Sequence, residues 1–411
     1  MTRNTLHSSL TAAWQQSCSW CIAAFQHTSV LLVTVVVTLF LALACEREPK
    51  LHLHEEGAPI VTNLPIIDLD LEAYWDYVFD YGVTYDWKAE WYYGWDEIDQ
   101  QIFGNIGYTE PNAFHIRRYY TYSNPSAPHT QVIANAISGK TFRGRYNWGF
   151  WDLLVWNDVV TLDGVQSLNF DETTSLDSVI AYTNQTMVTS RYHAPRYTRA
   201  FYEPEALFAA YEENIEVNEN LEGFEYDPAS EAWIKHMKVL LYPVTYIYLP
   251  QIILHNNHNK IVGVEGSGNL SAMARTVNLN TGTSGTDPIT VHFNMRFKQN
   301  RDMKGESVDI AGGRLMTFGM CNLNTRNKTR SEGEEEEKER HYMDVTMLFN
   351  NGLDSTFVFD MTDQVQKLYK GGVLTIELDM DTIPVPIRPG GSAFDAVVKD
   401  YEDGGTWEFP M

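Results

Sequence analysis

Residues 66–72 read Ile66-Ile67-Asp68-Leu69-Asp70-Leu71-Glu72, and this alternation decides the fold class. Successive side chains of a β-strand point to opposite faces. Ile67, Leu69 and Leu71 therefore share a buried face, and Asp68, Asp70 and Glu72 share a wet, acidic one. Such an acid row can hold calcium, but alternate acids on an exposed face need no metal to explain them. Downstream, strands are predicted at Phe114–Tyr122, Gln131–Ile137, Trp148–Trp156 and Val165–Phe170. Turn clusters separate them, such as Ser123-Asn124-Pro125, Ser138-Gly139 and Asp163-Gly164. Short strands at this spacing, with little helical periodicity between them, indicate a sandwich.

Between the first two strands lies a belt of rings: Trp75, Tyr77, Phe79, Tyr81, Tyr85, Trp87, Trp91, Tyr92, Tyr93 and Trp95. Two readings fit it. Amphipathic rings stack on sugars or peptides while keeping a polar tip wet, which makes Trp87, Trp91 and Trp95 candidate ligand-binding residues. Alternatively the rings fill a contact between a sheet and a loop. After Ala194-Pro195 the segment from Glu203 to Ser230 is acidic and loses the alternation, with one or two helical turns expected at Glu205–Tyr211. A domain boundary near Val217 follows.

The second half opens on the apolar run Val239–Leu254. Pro243 and Pro250 exclude a continuous helix or a membrane span. Asn256-Asn257-His258-Asn259 then turns the chain and Ile261–Val264 returns, a hairpin reading that puts His255 and His258 at an exposed tip. Further strands are predicted at Thr276–Leu279, Ile289–Phe297, Arg314–Met320, Tyr342–Leu348, Thr356–Phe359, Val373–Leu378 and Phe394–Lys399. The block Glu334 to Glu337 marks Asn324–Arg340 as a loop.

Upstream of all this is Val30 to Cys45, VLLVTVVVTLFLALAC, an uncharged apolar run. As a helix it reaches about 22 Å against roughly 30 Å of bilayer hydrocarbon, too short for a stable span. It suits the central part of a secretory signal cut after a small residue, here Ala44. The ending Leu41-Ala42-Leu43-Ala44-Cys45 resembles a bacterial lipobox, which implies cleavage between Ala44 and Cys45 and lipidation of Cys45. Several acyl chains anchor stably where one does so marginally, at about 0.8 kcal/mol per buried CH2. Residues 46–58 then read as a polar tether. His52, His54, Glu55 and Glu56 within it lack further ligands at a zinc-like spacing.

Composition narrows the function. Of 30 basic and 54 acidic residues, only Arg3 lies in the first 45, so the remainder carries a formal charge of about −25. That surface repels nucleic acid and anionic lipid. Of the four cysteines, Cys18 and Cys21 precede the cut and Cys45 carries lipid, leaving Cys321 without a disulfide partner. Cys321 reads as a small buried residue in a strand. The chain has no G-x-S-x-G, H-E-x-x-H or G-x-x-x-x-G-K pattern. No catalytic residue, cofactor or metal is assigned, and a hydrolase with a carboxylate pair has no support beyond the abundance of acids.

Several stretches together resemble the fimbrillin-like outer-membrane lipoproteins of gut and oral Gram-negative anaerobes, relatives of type V pilus subunits. They are Tyr146-Asn147-Trp148-Gly149-Phe150-Trp151-Asp152-Leu153-Leu154-Val155-Trp156-Asn157, Pro204-Glu205-Ala206-Leu207-Phe208, Asn269-Leu270-Ser271-Ala272-Met273-Ala274 and Phe359-Asp360-Met361-Thr362-Asp363-Gln364-Val365. The resemblance implies an all-β chain of two tandem transthyretin-like β-sandwich domains after a lipoprotein signal peptide. The expected division is signal peptide 1–44, lipidated tether 45–59, N-terminal sandwich 60–217 and C-terminal sandwich 218–411. It implies an outer-membrane, surface-exposed location and a role as anchor or accessory subunit of a pilus or adhesion assembly. The partners implied are the membrane through lipid, other fimbrial subunits by strand addition, and host or bacterial surface ligands. In polymerising relatives an arginine-specific protease removes an N-terminal strand. No arginine lies between Arg47 and Arg117, so such cleavage cannot excise Ile66–Leu71 cleanly. The triplets at Ser178, Ser355 and Thr382 resemble the O-glycosylation signal of the same bacteria.

Overall fold

The structure, a computed structural model, describes residues 63–75, 87–159, 166–172, 175–184, 200–321, 340–387 and, for backbone alone, 406–409. The chain is all-β in these residues, with only short helices between strands. Ala44, Cys45, the 46–58 tether, the belt rings from Tyr77 to Tyr85 and Phe394–Lys399 lie outside the described residues.

The opening alternation forms β1 (Ile66–Ala73), with Ile67, Leu69 and Leu71 buried as the pattern requires. It is a central strand of its sheet. On one side it pairs antiparallel with β4 (Thr141–Arg145), and on the other parallel with β11 (Ala232–Pro243), from Ile66 opposite Ile234 to Ala73 opposite Leu241. The three-residue β10 (Glu225–Asp227) completes this sheet on the far side of β11. A second, antiparallel sheet runs β3 (Gln131–Ser138), β2 (Ala113–Thr121), β5 (Gly149–Asn157), β9 (Phe208–Val217). The last residues of β11, Tyr242 and Pro243, pair with Ala209 and Phe208 of β9 and join the two sheets. Arg118 of β2 crosses between them. It stacks on Phe142, Tyr146 and Trp151 and donates to the Arg145 carbonyl at 3.0 Å.

The helical turns expected at Glu205–Tyr211 do not form. Those residues lead into β9, where Phe208, Ala209 and Ala210 are all buried and Ala209, Ala210 and Tyr211 pair with Trp156, Val155 and Leu154 of β5. The first sheet system also continues beyond Val217 to Pro243. Its parallel strand is supplied by β11, a pairing between residues about 170 apart that local pattern does not reveal.

The second sandwich grows from β12 (Tyr246–His255), which pairs parallel with β20 (Gly372–Asp379) and antiparallel with β16 (Glu306–Gly313) and β17 (Leu315–Thr317). The long β15 (Pro288–Met303) pairs through its second half with β16 and through its first half with β13 (Ile261–Ala274), so it passes from one layer to the other. From β13 the order runs to β18 (Tyr342–Phe349), β19 (Asp354–Asp360) and β21 (Thr406–Phe409). The short β8 (Ala200–Tyr202) flanks β15. Tyr248, Ile252, Leu254, Phe293, Phe357, Leu374 and Ile376 belong to the core between these layers.

The expected hairpin does not form. Asn256, His258 and Asn259 take positive φ angles of 50°, 44° and 63°, a region that Asn tolerates well, and the chain turns there. However, β12 is already paired on both edges, so β13 joins the opposite layer. Likewise Cys321 lies just past β17, half-exposed rather than buried in a strand, with its thiol 3.2 Å from the Gly285 carbonyl.

A small sheet of β6 (Leu168–Glu172), β7 (Val179–Thr183) and β14 (Thr276–Asn278) joins chain from both halves. Its apolar side chains pack with Tyr119, Leu154, Trp156, Val244 and Phe318 in one cluster. The segment Glu203–Phe208 runs beside it. Glu205 accepts the Ser167 and Leu168 amides at 2.7 and 2.9 Å, and Glu203 accepts the Met316 amide at 2.9 Å. Burial raises the Glu203 carboxyl above its ordinary pKa, against the pull of Arg314.

Candidate functional site

The belt is the first place to look for a ligand platform, and β12 explains what it does. A strand covered on one side alternates, whereas one covered on both reads as a continuous apolar run. In β12 the even residues Tyr248, Ile252 and Leu254 face the sandwich core, while Ile247, Leu249 and Ile253 pack with Trp91 and Tyr93. Val308, Ile310, Met316 and Val373 from the neighbouring strands join that outer cluster. The belt therefore covers the outer face of the β20–β12–β16–β17 layer, and this cover accounts for the unbroken hydrophobicity of β12.

Polar groups hold the cover in place. Gln251, fully buried on β12, accepts the Tyr92 and Tyr93 amides at 3.0 and 3.3 Å. It donates to the Glu90 carbonyl at 2.7 Å and to Thr375 Oγ1 at 3.0 Å. Buried amides without such partners would each cost about 1–3 kcal/mol. Beyond Gly94, whose φ is +68°, Asp96 caps the helix Glu97–Phe103 by accepting the Ile98 and Asp99 amides, both at 3.0 Å. Asp99 returns the bond by accepting the Asp96 amide at 2.8 Å, a reciprocal cap.

This helix start meets two cations of β15. Arg296 and Lys298, two residues apart and so on one face, reach Asp96 and the fully buried Asp99. Arg296 Nη1 lies 2.7 Å from Asp96 Oδ1 and 2.8 Å from Asp99 Oδ1. Lys298 bonds Asp99 Oδ2 directly, and its ammonium sits 3.9 Å above the Tyr93 ring centroid. Tyr93 completes the cluster by donating to Asp99 Oδ1 at 2.8 Å. Burial and then Asp99 push the Tyr93 hydroxyl well above its ordinary pKa, so it stays a donor. Burial also opposes ionisation of Asp96, but the Asp99 amide, Arg296 and Lys298 outweigh it and hold the carboxyl below the usual range.

Of the three tryptophans, Trp91 is 9 % exposed, and Trp87 and Trp95 are half-buried against the same cluster. Trp95 donates to the Gly104 carbonyl at 3.3 Å and packs on Phe103 at 5.4 Å. The three share one cluster without forming an open row. Gln251, Arg296, Lys298 and Asp99 escaped notice in the sequence. Their only signal was a pair of cations at strand spacing in an acid-rich chain.

A polar concavity of about 680 Å3 lies on the wet face of β4, β1 and β11. Arg143 clasps Asp68 with two bonds of 2.7 Å, His236 approaches Asp68 at 3.7 Å, and Lys238 pairs with Glu72. Asp70 and Thr141 complete the lining, and the exposed rings of Tyr74 and Tyr242 meet edge to face at 5.9 Å where β1 and β11 end. The acid row predicted from residues 66–72 is thus met by basic side chains of both neighbouring strands. Among the described residues no group of three or more His, Cys, Asp or Glu is arranged to hold a metal. Of the triplet residues, Thr382 is exposed and Ser355 is buried.

No family model matches the chain, and no curated protein does. Among solved structures it is similar to a candidate adhesin from Bacteroides ovatus, at 13% identity over 77% of this chain and 93% of that one, with a TM-score of 0.43. It is also similar to the fimbrial anchor protein Mfa2 from Porphyromonas gingivalis, at 10% identity over 76% and 90% with a TM-score of 0.38. A candidate cell adhesion protein from Bacteroides eggerthii matches at 9% identity over 80% and 91%, also with a TM-score of 0.38.

Proposed function

We propose that the chain is a lipid-anchored cell-surface protein of the fimbrillin-like kind, an anchor or accessory subunit of an adhesion assembly. The observation that carries the reading is the apolar run ending Leu41-Ala42-Leu43-Ala44-Cys45, placed ahead of an acidic all-β body. Acyl chains on Cys45 attach a body of high negative charge to an envelope without any contact between that charge and the lipid surface. The position of β1 supports the accessory role. It is hydrogen-bonded on both edges inside its sheet, and no arginine between Arg47 and Arg117 offers a cut that would free it. Mass spectrometry of the mature N-terminus tests the anchor, and Cys45→Ser should move the protein from the membrane to the soluble fraction. Retention of the variant in the membrane would refute the lipid anchor.

A second reading, a surface glycan- or protein-binding module, is favoured by the exposed Tyr74–Tyr242 pair beside the polar concavity. This face fits a ligand better than the belt, whose rings are engaged with β12. Replacing Tyr74 and Tyr242 by Ala should abolish glycan-array binding while circular dichroism stays unchanged. An array on which the unmodified protein binds nothing would remove the glycan form of this reading.

A further inference from the structure

Strand β3 stands at the end of its sheet's strand order. Its sequence is Gln131-Val132-Ile133-Ala134-Asn135-Ala136-Ile137-Ser138, eight residues without a charge or a proline, in a chain of formal charge −24. It pairs with β2 over its whole length without a register shift, and among the described residues no strand lies on its other side. Exposed edges are ordinarily blunted by charges, prolines, bulges or covering elements. The other long edges of this fold follow that rule. Gln364 closes the β20 edge by bonding both the carbonyl and the amide of Thr375, at 2.8 and 2.9 Å. β21 lies along β19, and the β4 edge carries Lys140, Arg143 and Arg145. Only β3 is long, uncharged and uncovered among the described strands.

The occupant follows from symmetry. Residues 133–137 read Ile-Ala-Asn-Ala-Ile, the same in both directions. The Gly139 amide bonds the Asn112 carbonyl, and alternation from that point sends the backbone of Ile133, Asn135 and Ile137 toward β2. The amides and carbonyls of Val132, Ala134, Ala136 and Ser138 are left directed at the free edge. We propose that β3 is a self-association edge, on which a second copy of this chain pairs antiparallel about a two-fold axis through Asn135.

In that register Ala134 and Ala136 exchange backbone bonds with Ala136 and Ala134 of the other copy. The half-buried Ile133 and Ile137 meet Ile137 and Ile133. Asn135 meets itself at a non-hydrogen-bonded position, where opposed Cβ atoms lie about 4.5–5.5 Å apart. A two-fold interface requires that each contact be matched by its converse, and a palindromic strand meets this with like against like. No acid of one β3 faces an acid of the other, so the net repulsion of two acidic copies acts only at longer range. The pairing should therefore strengthen as salt shortens the screening length.

Asn135→Cys in the full-length protein tests the axis. The two thiols would be close enough to bridge, whereas Ser138→Cys would place its thiols about 20 Å apart. On a non-reducing gel, Asn135→Cys should run at twice the chain mass, reversibly with reductant, and Ser138→Cys should match the unmodified chain. Ala134 and Ala136 are exposed, so changing both to Lys, or both to Glu, tests the edge without touching the core. Light scattering in detergent should then give monomers for each variant alone and restored dimers when the two are mixed. Equal crosslinking of the two cysteine variants would overturn the proposal. So would a disulfide to a different protein, or a monomeric mass for the unmodified chain at every salt concentration.

Discussion

Trp91→Ala separates a cover from a platform. Trp91 is 9 % exposed, packs on Tyr93 at 5.3 Å and lies over Ile247, Leu249 and Ile253. Truncating a buried Trp costs about 3–5 kcal/mol, more when the surroundings cannot close over the cavity. Here Tyr93 is fixed from three sides, by Gln251, by Asp99 and by Lys298, so collapse is resisted and about 4 kcal/mol is expected. Trp87→Ala and Trp95→Ala, at half-buried positions, should cost about half as much. Urea unfolding followed by far-UV circular dichroism, which does not depend on the deleted indole, measures this. With a slope of about 3 kcal/mol/M the Trp91→Ala midpoint falls by about 1.3 M. A ligand platform would behave in the opposite way, losing binding while keeping its midpoint. A midpoint shift below about 0.3 M for Trp91→Ala, or a larger loss for Trp95→Ala, would refute the assignment of the belt as a cover.

Asp99→Ala should destabilise by about 3–5 kcal/mol, toward the lower end because Asp96 remains 3.2 Å from Lys298; a loss below about 1 kcal/mol in the same assay would show that the β15 cations do not hold the belt. Gly312→Ala places a Cβ 2.6 Å from the fully buried Tyr93 ring, and the overpacking should cost about 1–3 kcal/mol; an unchanged urea midpoint would contradict the close approach. The His255 imidazole is held above its ordinary pKa of 6.5 by its bond to Glu306, against burial and with help from Glu377. Its contribution is complete below 6.5 and disappears as pH rises through the elevated folded value, so His255→Gln should be more destabilising at pH 6 than at pH 9. An equal penalty at both pH values would remove this link.

Much of the fold can be read from residues alone where one face is wet. The alternation at Ile67, Leu69 and Leu71 needs only the two-residue period of a strand, and the Asn-rich turn at 256–259 needs only the tolerance of Asn for positive φ. The run Val239–Leu254 shows why other features were hidden. Local pattern reports how many faces are buried, not what buries them, so an apolar strand covered by distant rings looked like the start of a hairpin.

The sequence by itself determined the all-β class, the sites of many strands, the acidity of the body and the lipobox-like ending at Cys45, because each is a property of neighbouring residues. Only the tertiary structure decided that the aromatic belt lies on β12, that β11 returns to pair with β1, and that Asp96 and Asp99 meet Arg296 and Lys298 about 200 residues away. Those partners are chosen by the closing of layers around a shared interior, and a pairing between distant residues leaves no periodicity along the chain to read.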